Sequence, residues 1–112
     1  MDNFTINGRV YQARELDFNF VCFLGENGIE LKDIGSKIIP SIRCYIAYCM
    51  GVDVYVAGEE FQKHIVANNG DFDEVMNIFS KKAEESDFFQ ALAKKNGSKT
   101  TPKKTTKKSQ EE

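Results

Sequence analysis

The chain has 112 residues, of which 41% are hydrophobic and 29% are charged, and its formal net charge is −2. This length supports one domain with its own apolar core but not two. The most apolar run, residues 38–56, contains Pro40, Arg43 and Asp53, which excludes it as a transmembrane helix. The first ten residues contain no basic segment followed by an apolar one, so we expect no signal peptide.

The net charge conceals two segments of opposite sign. Residues 1–93 carry eight basic and 15 acidic side chains, whereas residues 94–112 carry seven lysines and two glutamates. The second segment has no hydrophobic residue and therefore nothing with which to form a core. We predict a folded acidic domain, residues 1–93, followed by a disordered and solubilising Lys-rich tail, residues 94–112. A contact between the Lys pairs and nucleic-acid phosphates is the alternative interpretation of the tail.

The N-terminal segment has the pattern of a β-hairpin. Phe4 and Ile6 alternate with polar residues, and Asn7-Gly8 follows them. Asn-Gly suits a type I′ turn, because both central residues of that turn need a positive φ. The pattern predicts one strand on each side of this turn, the second extending to about Arg14.

Capping residues, glycines and apolar spacing predict three to four helices after the hairpin. The helices are expected from Asp17 to Leu24, from Ser36 to Gly51, from Val56 to Ala67 and from Asp71 to Ser86, with a break or restart before Phe88. A two-stranded hairpin is marginal alone and needs other elements beneath it. The predicted fold class is therefore α+β, with the N-terminal hairpin packed on a small helical bundle.

The apolar spacing also predicts which face of each helix is buried. In the first helix, the expected buried stripe consists of Phe18, Val21, Cys22 and Gly25. In the last full helix, Asp71 and Glu74 have the spacing of a capping box. Phe79 lies at the middle of the apolar stripe of that helix, so we expect it to be buried.

No residue pattern is typical of a catalytic or metal-binding site. The single histidine, His64, has no nucleophile motif beside it, so we interpret it as a structural or surface residue. Cys44 and Cys49 are five residues apart and point to different faces of a helix. Asp71 begins a run of acids that suggests a calcium loop, but Lys82 stands at the twelfth position, where such loops need Glu. We therefore expect a non-enzymatic protein without cofactor or metal. Three cysteines form no disulfide framework, so we also expect a reducing compartment.

The order and spacing of these segments resembles the tail assembly chaperones of long-tailed phages. The similarity covers about residues 3–93, and it rests on the segments FTINGRVYQAR, ELDFNFVCFLGENGIELKDI, SIRCYIAYCMG and AGEEFQKHIVANNGDFDEVMNIFSKKAEESDFFQAL. The last segment is the most specific, because it combines a helix, an Asn/Gly break, an amphipathic helix and a Ser-Asp-Phe-Phe ending. None of the four is a catalytic signature.

The resemblance implies a function in phage morphogenesis within the host bacterial cytoplasm. Chaperones of this family bind the tape-measure protein, a long and largely helical chain that sets tail length, and they are absent from the finished particle. They keep it soluble until tube subunits polymerise around it. The family often has a longer form, made by programmed frameshifting, that recruits the tail tube protein. This chain would be the short form, and whether it forms a homo-oligomer stays open.

Two residues are candidates for partner binding, Phe88 and Phe89, because a pair of aromatic residues after a helix break does not readily fit wholly inside a core. Core packing is the alternative for both. The runner-up function is a small phage-encoded regulator that binds a host protein or nucleic acid through its basic tail. Binding of nucleic acid by residues 1–93 is disfavoured by their net charge of −7.

Overall fold

The computed structural model describes residues 2–95 and has the predicted α+β fold, an antiparallel hairpin followed by five α-helices in this part of the chain. The elements are β1 (Asn3–Ile6), β2 (Arg9–Gln12), α1 (Phe18–Glu26), a short 3-10 helix (Leu31–Asp33), α2 (Ile38–Met50), α3 (Val54–Ala67), α4 (Asp73–Glu85) and α5 (Asp87–Lys95). The predicted tail, residues 94–112, starts within the end of α5, and its remainder lies outside the described residues. Within residues 2–95, no helix has both the length and the apolar character needed to cross a membrane.

The hairpin forms as predicted around Asn7-Gly8, where both residues have positive φ, 53° and 85°. Its inner face buries Phe4 and Ile6 against the helices. The turn is also fixed from outside, because the Asn7 backbone N–H donates to Nδ1 of His64, 2.9 Å away, in α3. The Asn7 side-chain amide donates to Oε1 of Glu60 at 2.7 Å. His64 therefore holds the hairpin turn on α3, as the structural interpretation of this residue predicts.

The predicted capping box at the start of α4 is wrong. Asp71 does accept a hydrogen bond, but from the Asp73 backbone N–H at 2.9 Å, and the helix begins at Asp73. Glu74 instead accepts the backbone N–H of Thr5 at 3.1 Å. This hydrogen bond joins α4 to β1 across 69 residues of sequence. The tertiary contact replaces the local cap that the spacing indicated.

The core is centred on Tyr45 in α2. Its ring lies 5.7 Å from that of Phe20 in α1 and 5.4 Å from that of Phe79 in α4, measured between ring centroids. The Phe4 ring of β1 lies 6.1 Å away. The Tyr45 hydroxyl does not stay unpaired in this apolar surrounding, since it donates to the Arg14 backbone carbonyl at 2.6 Å. Tyr45 therefore ties both strand and helices to the central helix, and the burial of Phe79 is confirmed.

The predicted buried stripe of α1 is wrong for Phe18, Cys22 and Gly25, which are exposed, while Phe20 and Leu24 are buried. The cause is the tertiary setting of the helix start. Asp17 caps α1 as predicted, because its Oδ1 accepts the Phe20 N–H at 3.0 Å. The same oxygen accepts the hydroxyl of Tyr48 in α2 at 2.6 Å, which fixes the rotation of α1 on α2. Apolar residues occur all around this helix, so its spacing alone could not select the buried face.

The Asp17–Tyr48 contact changes the ionisation of both groups. Burial alone would raise the pKa of Asp17, but the hydrogen bonds from the Tyr48 hydroxyl and the Phe20 backbone N–H outweigh it and lower that pKa. Burial and the hydrogen bond to Asp17 together raise the pKa of Tyr48 to about 12. The carboxylate is therefore stabilised in its charged form and the phenol in its neutral form.

The break between α4 and α5 is confirmed at Ser86. This buried hydroxyl donates to the Leu16 backbone carbonyl at 2.8 Å and accepts the Phe89 backbone N–H at 3.0 Å. One side chain thus caps the start of α5 and joins it to the linker before α1. Lys82 in α4 forms an ion pair with the N-terminal segment, since its Nζ lies 3.3 Å from a carboxylate oxygen of Asp2.

Candidate functional site: an apolar groove between two helices

An open groove of about 550 Å³ runs between α2 and α3. Its volume is in the range of ligand-binding clefts in proteins. Residues from the first turns of α2 and from one long face of α3 line it: Ile39, Pro40, Arg43, Tyr55, Gly58, Glu59, Phe61, Gln62, Ile65 and Val66. Except for Phe61, none of these residues is fully buried.

Helix α3 has a core face and an outward face, and its first turn is capped by Asp53. Asp53 caps the helix through Oδ1, which accepts the backbone N–H groups of Tyr55 at 2.8 Å and Val56 at 2.9 Å. The sequence pattern predicts a start at Val56, but the helix starts at Val54 because Asp53 supplies this cap. The core face carries Val54, Ala57 and Phe61.

The other face of α3 forms one wall of the groove. Its residues recur at three- and four-residue intervals along about three turns: Tyr55, Gly58, Glu59, Gln62, Ile65 and Val66. The Tyr55 and Val66 side chains at the two ends are 74% and 73% exposed. Exposed apolar side chains that together rim a cleft are typical of an interaction surface.

The facing wall comes from the start of α2. Pro40 lies in the first turn of this helix, where its missing N–H is tolerated, and it leaves Ile39 about half exposed beside the groove. The apolar spacing of this helix predicts that Ile39 is buried. This prediction is wrong, because no other element within residues 2–95 covers this side of α2. Both walls of the groove thus carry exposed apolar side chains, with Arg43 on the α2 wall and Glu59 on the α3 wall.

The two predicted partner-binding residues face different environments. Phe89 is fully buried in the core, whereas Phe88 lies at the surface. Phe88 packs edge-on against Phe18, with ring centroids 6.0 Å apart. The two exposed rings form a small second apolar patch, built by the starts of α1 and α5. The two adjacent side chains therefore point in different directions, Phe88 to the surface and Phe89 into the core. Neither of them lines the groove.

Within residues 2–95, the thiols and carboxylates form no cluster that could hold a metal ion or activate a nucleophile. Cys44 is buried, Cys49 is half-buried, and burial raises the pKa of both thiols. Cys22 is exposed on α1, contrary to the expected apolar face. Among residues 2–95, no three His, Cys, Asp or Glu side chains are placed to hold a metal ion.

The apolar spacing of the sequence does not predict this groove. A signal was present in α3, where Tyr55, Ile65 and Val66 lie on a face that the core stripe does not use. The spacing does not tell whether another element covers that face. Three features of the groove could serve recognition: the exposed apolar rim, the length of three helical turns, and Arg43, the single basic residue among the described residues of the lining.

In comparison with known proteins, no family model, no curated protein and no solved structure matches this chain.

Proposed function

We propose that this chain is a non-enzymatic tail assembly chaperone that binds helical segments of the phage tape-measure protein in the groove between α2 and α3. It acts in the host bacterial cytoplasm and leaves the client before the tail is complete. The observation that carries the proposal is the exposed apolar rim formed by Ile39, Tyr55 and Val66 on an otherwise acidic domain. The tape-measure protein is proposed as the client because the sequence resembles the tail assembly chaperones.

The groove fits an amphipathic helix. Two roughly opposed helical walls with an apolar floor can receive the apolar stripe of a third helix, a common mode of peptide recognition. From Tyr55 to Val66, α3 advances eleven residues, or about 17 Å at 1.5 Å per residue. One copy therefore covers about three turns of a client helix. A client of several hundred residues needs many copies along its length, or copies confined to its most apolar segments.

The charge of the domain serves solubility. A client helix exposes an apolar stripe that would otherwise drive association with other copies. Residues 1–93 carry a net charge of −7, so a coated client presents acidic surfaces that repel one another. The contact area of each copy is small, and many modest contacts can be released one after another as the tube subunits arrive. Recruitment of the tail tube protein by a longer, frameshifted form belongs to the same proposal.

The test is coexpression of the chain with the tape-measure protein of its phage. We expect a larger soluble fraction of the client and copurification of several copies per client. The double variant Tyr55→Ser, Val66→Ser should lose both effects, because it removes the two exposed ends of the groove rim. The matched control is Val10→Ser, Phe18→Ser, which removes the same kinds of exposed side chain from outside the groove.

Three other outcomes have defined meanings. Loss of copurification only in the control variant would move the client contact to the patch of Phe18 and Phe88. No association of the wild-type chain with the client at moderate salt would refute the chaperone function. If the full-length chain then bound nucleic acid with a steep salt dependence, and a chain ending at Lys95 did not, the regulator hypothesis would replace it.

A further inference from the structure

One polar side chain in the groove has unused hydrogen-bonding capacity. Arg43 lies on α2 within the lining, and its Nε is buried without a hydrogen-bond acceptor among the described residues. No carboxylate of residues 2–95 forms an ion pair with its guanidinium. Most buried polar groups in proteins are paired, so an unpaired donor at an interaction surface points to a partner.

The surroundings hold Arg43 against the wall of the groove. Its Cδ lies 3.3 Å from the point where a side chain at Gly58 would begin, so the absence of that side chain lets the arginine stem lie on the backbone of α3. Its guanidinium carbon lies 5.6 Å from the centroid of the Tyr55 ring. An arginine is well suited to such a place, because its planar group stacks on aromatic rings and keeps its charge.

We propose that the groove selects client helices that carry a carboxylate within or beside their apolar stripe, and that Arg43 is the residue that recognises it. This inference rests on the proposed function and specifies the chemistry of the client. It requires the guanidinium to turn from the wall toward the bound helix, so that Nε and one terminal nitrogen donate to the two carboxylate oxygens. Paired donation of this kind is the preferred geometry between arginine and a carboxylate.

The free protein and the bound state differ in a way that favours this pairing. In the free protein the buried Nε–H has no acceptor among residues 2–95, which is unfavourable and is relieved when a carboxylate arrives. A bound apolar helix also excludes water from the groove, which strengthens the attraction between opposite charges. Glu59 is the other charged residue of the lining. A carboxylate is therefore favoured only near Arg43, and a basic client residue is favoured near Glu59.

The inference gives the groove a means of choosing among helices. Apolar contact alone would accept many amphipathic helices, because such contact has little directional preference. A required carboxylate rejects helices that place a lysine or a neutral residue at that point, since the Arg43 donor would stay unpaired or be repelled. We expect a carboxylate in this position to strengthen binding about tenfold or more, as for a charge-assisted hydrogen bond.

The experiment uses three synthetic helical peptides of 18 residues with the same leucine stripe. They differ only at one position between two leucines of the stripe, which holds Glu, Gln or Lys. Binding to the full-length chain is measured by fluorescence anisotropy. The Glu peptide should bind about tenfold more tightly than the Gln peptide, and the Lys peptide should bind least tightly. In Arg43→Gln the preference for Glu should disappear, whereas Arg9→Gln, an equal loss of charge at an exposed site outside the groove, should keep it.

The same data can overturn the inference. Equal binding of the Glu and Gln peptides to the wild-type chain would do so without any variant, even if Arg43→Gln fails to fold. An unchanged preference in a folded Arg43→Gln variant would assign the selectivity to another residue. If none of the peptides binds, the groove does not recognise helices and the inference fails. The chaperone function is decided separately, by coexpression with the tape-measure protein, so a chain that solubilises that protein but does not distinguish Glu from Gln loses only the role of Arg43.

Discussion

Replacement of Phe79 by alanine tests the description of the core. Phe79 is 2% exposed, and its ring packs against those of Phe20 and Tyr45 at centroid distances of 6.2 and 5.4 Å. Removal of a buried phenylalanine side chain typically costs about 3–5 kcal/mol, because apolar contacts are lost and a cavity remains. We expect the upper part of that range, since two aromatic neighbours lose a partner and neither can move far without disturbing the Tyr45 hydrogen bond to Arg14.

The expected loss is a large fraction of the stability of a domain of this size, which is about 5–15 kcal/mol. The melting temperature should fall by at least about 12 °C, at about 4 °C for each kcal/mol. Urea unfolding followed by circular dichroism measures the change, and the denaturant slope should stay constant if the folded and unfolded states keep their compactness. The matched control is Phe88→Ala, which removes the same side chain from a position that is 38% exposed, and it should cost about 1 kcal/mol.

Two results would refute this reasoning. A change below about 1 kcal/mol in Phe79→Ala would show that the ring contributes no core contact of the kind described. Equal destabilisation by Phe79→Ala and Phe88→Ala would show that burial does not distinguish the two rings. In either case the arrangement of α4 against α1 and α2 would have to differ from the one described above.

Further predictions concern the hydrogen bonds that join distant segments. Ser86→Ala should cost about 2 kcal/mol in urea unfolding, because it removes a helix cap and leaves the Leu16 carbonyl unpaired, whereas Ser80→Ala should be nearly neutral. Equal effects of the two variants would contradict the role of Ser86. The lowered pKa of Asp17 means that its carboxylate stabilises the fold above the unfolded pKa near 3.9, and this stabilisation is lost as the pH falls through the lower folded pKa. Asp17→Asn should therefore unfold at lower urea concentration at pH 7 and lose less stability than the wild-type chain between pH 5 and pH 2, and an unchanged pH dependence would show that Asp17 is not the titrating group.

Much of the fold could be predicted because local signals in the sequence were unambiguous. Asn7-Gly8 specifies a hairpin turn, since few other residue pairs adopt positive φ so readily. Gly51 ends α2 in the left-handed conformation, with φ of 76°, as its place after the apolar stripe predicts. Pro40 fits only the first turn of a helix, and α2 accordingly begins at Ile38, slightly later than the predicted start at Ser36. Each of these positions is decided by the backbone of a few neighbouring residues.

The errors arose where a distant contact overrides a local pattern. Glu74 has the spacing of a capping-box residue, yet its carboxylate accepts a hydrogen bond from the backbone N–H of Thr5 in β1. Phe18 has the spacing of a buried residue, yet the contact between Asp17 and Tyr48 turns it outward. In both cases two arrangements satisfy the local rules, and the chosen one is decided by the element that packs against the helix. The groove was not predicted for the same reason. The outer face of α3 is exposed because no other described element packs on it, and local spacing does not show this.

The exposed rim of the groove and the core use different side chains of α3, while Phe61 belongs to both the core and the groove lining. This division has a consequence for the proposed function. The core face holds Val54, Ala57 and Phe61, whose loss would weaken folding, whereas the outward Tyr55 and Val66 contribute little buried area to the free domain. The contacts offered to the proposed client can therefore vary without loss of the fold. They can also be made and released without local unfolding. A protein that must bind a long client in many places and then leave it has use for this arrangement, in which the rigid core face fixes the geometry and the exposed face provides only modest, separable contacts.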